Sequence, residues 1–419
     1  MRRLRGAEAV VRAPLVDALL YGGSALFAAF VLGASPMLRN RTWAELAWPA
    51  YAAASVAAFV LAAIAARLGR PRLLRARIAT AACVAVGAVV VPLGVEVQWR
   101  AEPARAPASA LHPYGASEIV VTEGAARALV NGRDPYSTQF TSPELDGRSP
   151  STGEHFPYLP AMIAFGLPRA LVPHAPWSDA RLFFLLATAA AAVLASRRWR
   201  APPQHRLRAL QVLIVLPTGA AVMVTGGDDV PVLALCLLAL VLFDRGRHAA
   251  SAAAATGAAL LKLTAWPLLL VLAVPSRRAR VALGAVGSVV LVAAAASPAD
   301  FVDDVLLFPT GLTNLPSPAE TTTLGSMLIA PAGDSSPYRV VLTLLLLGIA
   351  VLVTAYVLLT LARRGEVSAA EAAAAAALVL LTLIVLAPVA RAGYLVYPLD
   401  LIAWAALLHS ARLQRAVAS

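Results

Sequence analysis

Apolar stretches close to the roughly 20 residues that a helix needs to cross a bilayer recur along almost the whole chain. Residues 19–32, 50–66, 341–361 and 373–389 are examples. Lipid offers a backbone no hydrogen-bonding partner, so such runs must close their own N–H and C=O groups as helices. The composition agrees, with 59% hydrophobic and 14% charged residues and a mean hydropathy of +0.74 over 419 residues. A water-soluble protein of several domains, which the length alone would suggest, is excluded by those values. The expected fold class is an all-α polytopic membrane protein, a single transmembrane domain over 1–419.

The net charge of +12 does not describe a basic face for nucleic acid. Its arginines stand in short clusters between the apolar runs: at the N-terminus, 67–77, 197–208, 245–247, 277–280, 363–364 and 412–415. Clusters so placed read as topology signals, and putting all of them in the cytoplasm gives a consistent parity. About 12 transmembrane helices follow, near 14–34, 46–66, 78–95, 179–196, 208–225, 229–243, 248–262, 264–275, 281–297, 339–362, 368–388 and 393–410. The basic start, Met1-Arg2-Arg3-Leu4-Arg5, leads into a first anchor and not into a cleaved signal peptide. Cys83 and Cys236 lie inside apolar runs and read as buried structural thiols.

Two regions depart from simple spans, and two long segments lie between spans. Residues 158–172 are apolar but short and carry Pro160 and Pro168, which suggests an interfacial or re-entrant helix on the outer side. Residues 248–275 have to leave and return in too few residues for two full spans at 1.5 Å per residue, so two short or broken helices should meet near Lys262. Finally, two long segments, 96–157 and 298–337, fall outside the membrane. Loops of such length in a compact protein usually carry function. Within the first, apolar positions at helical spacing run up to Asn131-Gly132, predicting a short amphipathic helix resting on the membrane surface.

The polar residues left among the apolar runs are the candidates for chemistry. Lys262 is the only lysine in the chain. A charge at mid-helix opposes insertion by about 2.5–3.5 kcal/mol, so it must either snorkel to an interface or meet an anion, and an ammonium suits a phosphate as a point charge. The turn 225–231, TGGDDVP, places Asp228 and Asp229 where either can cap the next helix or stand at the rim of a site. Glu118 and Glu123 in the first loop are surface charges or, against an apolar floor, a general base. His112, His155 and His174 have no metal-ligand spacing, so no metal is expected; any one of them can still orient a sugar or a phosphate. Near the last span Arg391, Tyr394 and Tyr397 gather at the outer mouth, where Tyr394 serves either as a belt aromatic or as a contact.

Five blocks, EIVVTEGAARALVNGRDPY (118–136), FPYLPAMIAFGLP (156–168), GGDDVPVLALCLLALVLFDRGR (226–247), KLTAWP (262–267) and RAGYLVYP (391–398), resemble in order the motifs of the GT-C superfamily of membrane glycosyltransferases that use polyprenyl-phosphate sugars. Within it they are most similar to the bacterial mannosyltransferase-like branch, family 87. The resemblance implies a GT-C-type helix bundle whose outer loop carries the catalytic acid and amphipathic helices. By position that acid is Glu118, with Glu123 as the alternative. Lys262 and Arg391 would then hold the donor phosphate. Tyr136, Tyr158, His155, Asp228, Asp229 and Tyr394 would be substrate contacts.

What the resemblance implies is direct displacement at the anomeric carbon, with inversion and no cofactor. Mannose is the first expectation for the sugar and arabinose the second, passed to a glycolipid or polysaccharide acceptor on the outer face of the plasma membrane. The expected partners are that lipid-linked donor, the acceptor and membrane lipids, and no nucleic acid. A transporter or flippase of a lipid-linked or small anionic substrate is the alternative, since broken helices around a charge also build transport sites. Against it stand the long acidic outer loop and the lack of an inverted repeat in the spacing of the spans.

Overall fold

A computed structural model describes residues 2–68, 73–102, 116–145, 151–173, 175–313, 323–332 and 337–418. His112 and His174 lie outside them. The described residues are helical and contain no strand. Among them nine helices are long and apolar enough to cross a membrane: Ala13–Ala34, Leu38–Arg67, Leu74–Ala101, Ala180–Arg198, Pro203–Thr225, Arg277–Ala296, Pro337–Arg364, Ala369–Leu386 and Gly393–Val417. The other three expected spans appear as shorter helices. Asp229–Asp244 has 16 residues, and the pair His248–Leu261 and Leu263–Ala273 replaces two full crossings.

The outward faces of these helices are apolar. Leu19, Leu26, Phe30, Val56, Phe59, Leu291, Val292, Leu352 and Tyr356 all stand exposed, an arrangement that suits a hydrocarbon solvent. Cys83 lies on this outer surface and not inside, because it falls on the lipid side of its helix; Cys236 is buried as expected.

The chain divides into two compact units. The first comprises Met1–Gly115 and Ala201–Val230. Arg2–Ala34 and Leu38–Leu68 form its helical hairpin. Two π-helical turns, Val86–Val90 and Gln211–Val215, interrupt its other long helices. Each passes a carbonyl to a buried side chain: Trp43 Nε1 donates to Ala88 O at 2.9 Å and the Tyr51 hydroxyl to Val215 O at 2.7 Å. Pro217 explains the second break, because it lacks the N–H that the helix would need. The unit also buries a carboxylate, Asp17, in an ion pair with Arg77, with Arg208 at 2.8 Å and Gln211 Nε2 at 3.2 Å.

The second unit comprises Ala116–Arg200 and Pro231–Ser419. Its first helix, Ser117–Val130, is the one expected in the outer loop, and it ends as predicted at Asn131, with Gly132 taking the left-handed φ of 69° that a side chain resists. One face of it is packed into the protein. Ile119, Val120, Val121, Ala125, Ala126 and Ala128 are buried, and the helix rests on the 3-10 turn Pro160–Gly166 and the short helix Leu167–Leu171. Gly166 permits the approach, since a Cβ there would overlap the Thr122 carbonyl. The sequence 158–172, expected to be re-entrant or interfacial, is therefore the floor under this helix.

At Lys262 the chain becomes extended, with φ −147° and ψ 148°, between His248–Leu261 and the turn Leu263–Ala265. Pro267 in the first turn of Trp266–Ala273 starts the next helix and prevents the two from joining. The gap is closed from both sides: Trp266 Nε1 donates to Ala259 O at 3.0 Å, and Leu159 N–H donates to Leu261 O at 3.1 Å.

Candidate active site

An open cleft in the second unit, about 890 Å³ with its mouth included, is lined by side chains from five separate stretches of sequence. Ser117, Glu118 and Val121 come from the Ser117–Val130 helix; His155, Pro157 and Tyr158 from the segment after it; Lys262 and Thr264 from the helix break; Phe308, Val389, Arg391 and Tyr394 from the later half.

Lys262 is 6% exposed, and its Nζ stands 5.0 Å from the centre of the Tyr158 ring, a cation–π arrangement. It is buried at the wall of the cleft, not snorkelled to a surface. Glu118 is ion-paired with Arg391, and its Oε2 accepts a hydrogen bond from the Ser117 hydroxyl at 3.1 Å. Arg391 thus meets the carboxylate directly, whereas the sequence suggested only a role on the donor phosphate. Thr264 Oγ1 and His155 Nε2 are buried polar atoms of the wall with no hydrogen-bond partner among the described residues.

The second candidate acid sits elsewhere. Glu123 is buried, accepts from Ala180 N–H at 3.1 Å at the start of the Ala180–Arg198 helix, and lies 4.0 Å from Arg169 Nε. Those contacts tie the Ser117–Val130 helix to the Ala180–Arg198 helix, so the Glu123 charge is engaged in structure, away from the lining of the cleft. Tyr136 likewise does not line the cleft. Its hydroxyl donates to Tyr158 O at 3.1 Å and its ring packs on Phe156 and Phe301, with centroids 5.6 and 4.8 Å away. Burial pushes its phenol above the ordinary value. Tyr394 lines the cleft, half-buried. Asp228 and Asp229 belong to the first unit, at a turn where Gly227 has φ 86° and Asp229 opens the helix Asp229–Asp244.

Two aspartates that the sequence did not single out pair with His155. His155 Nδ1 is 2.8 Å from Asp304 Oδ1 and 3.5 Å from Asp303 Oδ2, while Asp304 Oδ2 accepts from Phe156 N–H at 2.8 Å. The imidazole stacks on Phe308 with centroids 4.4 Å apart. Burial pushes the Asp304 carboxyl above its ordinary range, against the lowering effect of the bonds from His155 and Phe156. The three groups are close enough to enclose a cation. Their short contacts, however, are with each other and with the Phe156 amide, which is a hydrogen-bonding arrangement and not a set of atoms turned to one centre.

A carboxylate, two cationic side chains and an imidazole around one cleft suit an anionic substrate that reacts with a hydroxyl. No curated protein matches the chain. The model of glycosyltransferase family 87 matches residues 156–388, more than half of the length. That match takes in Tyr158, Lys262 and Asp304, while Glu118 and Arg391 lie on either side of it. The chain belongs to glycosyltransferase family 87, and it is a multi-pass membrane glycosyltransferase.

Proposed function

We propose that the protein transfers a sugar, mannose first and arabinose second, from a polyprenyl-phosphate donor to a glycolipid or polysaccharide hydroxyl at the outer face of the plasma membrane. The observation that carries this reading is the convergence of Glu118, Lys262 and Arg391, far apart in sequence, on one cleft. The acceptor oxygen attacks the anomeric carbon as the bond to the phosphate oxygen breaks; its proton passes to Glu118, and the electron pair of the broken bond leaves with the phosphate. Inversion follows from a single displacement.

Lys262 faces the charge that grows on the leaving phosphate. Arg391 has two anionic partners to choose between, Glu118 in the resting cleft and the phosphate once the donor is bound. A donor that draws Arg391 away leaves Glu118 free to accept a proton, so the base is released when there is something to react. The chemistry needs no metal, because the phosphate is already a good leaving group.

The test is transfer from radiolabelled polyprenyl-phosphate mannose or arabinose into a membrane-lipid extract by purified protein. Glu118→Gln should lower turnover by about 100- to 10,000-fold, the usual effect of removing a general base. Failure of the wild type to move sugar from either donor, together with solute uptake into vesicles, would replace this reading by transport. Loss of activity in Glu123→Gln with retention in Glu118→Gln would move the base.

A further inference from the structure

We propose that His155 and Asp304 act as one proton-holding pair, which gains a proton when an anionic phosphate group occupies the cleft, so that His155 Nε2 donates to a phosphate oxygen. The inference rests on the reading of the cleft as the donor site and adds a third phosphate contact to it. Three observations converge. The Asp304 carboxylate is fixed at both oxygens, by His155 Nδ1 and by Phe156 N–H, each at 2.8 Å. The ring packs on Phe308 with the two planes inclined by 32°, so its orientation is set on a second side. Nε2, at the far end of that ring, is buried without a partner among the described residues, in a residue that lines the same cleft as Lys262 and Arg391.

Proton counting gives the rest. With one proton shared between the two groups, that proton lies between Nδ1 and Oδ1, Nε2 is a bare lone pair and the pair carries a single negative charge. That state repels a phosphate. With two protons Nε2 carries a hydrogen and the pair is neutral, whichever of the inner atoms keeps the other. The upward push of burial on the Asp304 carboxyl works in the same direction. The other titratable or charged groups that face the ring or the cleft are Asp303 beside Nδ1, Glu118 from the outer helix, Lys262 from the helix break, Arg391, and the phenols of Tyr158 and Tyr394. The two cations bring the anion in; the pair adapts to it.

The experiment is calorimetric binding of undecaprenyl phosphate, and of inorganic phosphate, to the full-length protein in detergent between about pH 5.5 and pH 8.5. Each series is repeated with His155→Gln, which removes the titration of the ligand itself from the comparison. One proton taken up per phosphate bound makes the wild-type affinity rise, relative to His155→Gln, by up to about tenfold for each unit of pH lowered. The same uptake is read as a binding enthalpy that changes with the ionisation enthalpy of the buffer. Asp304→Asn, a substitution of similar volume, should displace the wild-type profile towards lower pH, because the protonated ring loses its buried counter-charge.

Parallel profiles for wild type and His155→Gln, or an unmoved profile in Asp304→Asn, overturn the pair while leaving the donor reading in place. Absence of binding of either phosphate to the wild type removes both. A His155-dependent profile with inorganic phosphate alone keeps the pair and removes the lipid donor.

Discussion

Replacing Lys262 by methionine asks whether the buried ammonium serves a ligand or the fold. Methionine keeps an unbranched stem of similar length, so the packing on Tyr158 and in the helix break is largely preserved while the charge is lost. A hydrogen bond to a charged group contributes about 1.5–3 kcal/mol. At about 1.4 kcal/mol per factor of ten, loss of the contact with a phosphate should weaken donor binding by about 10- to 150-fold. Binding of undecaprenyl phosphate by calorimetry supplies that number, and thermal unfolding of the same sample supplies the control. The expected result is weaker binding with a melting temperature close to that of the wild type. Wild-type affinity in Lys262→Met, with a changed melting temperature, would make Lys262 a structural residue and refute the argument. Lys262→Arg keeps the charge but brings a broad planar fork into a site 6% exposed, so partial retention is expected.

Other outcomes follow from contacts away from the reacting groups. Glu123→Ala should lower stability by about 1–3 kcal/mol, by leaving the Ala180 amide without its acceptor, and a melting temperature equal to the wild type would contradict that structural role. Asp17→Ala leaves Arg77 and Arg208 without their shared carboxylate and should cost about 3–5 kcal/mol, read as loss of folded protein in detergent; a stable variant would show that the two arginines find other partners. Tyr136→Phe removes one hydrogen bond to the Tyr158 carbonyl, worth about 0.5–1.5 kcal/mol. It should lower stability with little change in turnover, and a large fall in turnover at unchanged stability would return Tyr136 to the substrate.

Hydrophobic periodicity and arginine placement made the spans legible, because both are local properties of a sequence meeting lipid. Each of the twelve expected segments coincides with a helix, although three of them are too short to cross by themselves. The break at Lys262 was legible for a reason of length alone. The stop at Asn131-Gly132 was legible because few residues besides glycine accept a φ of 69°. Glu118 and Glu123 were not separable in the same way. They sit five residues apart on one helix, and what distinguishes them is the direction each faces, towards Arg391 or towards Ala180. Asp304 left no trace beside His155, because its bond to that ring spans 149 residues of sequence. Pairings of that range are set by how helices meet, which no local pattern encodes.

The backbone bond from Leu159 to Leu261 joins the segment that ends at Leu159 to the interrupted helix by main-chain atoms that no side-chain substitution can remove, and the Tyr136 hydroxyl adds a side-chain bond to the Tyr158 carbonyl. Leu159 and the discontinuity at 262 are therefore held together whatever side chains stand at those positions. Order imposed at either end is transmitted to the other without a dedicated hinge. Donor occupancy at Lys262 should accordingly slow amide exchange at Leu159, in a stretch of chain that precedes the lysine by about a hundred positions.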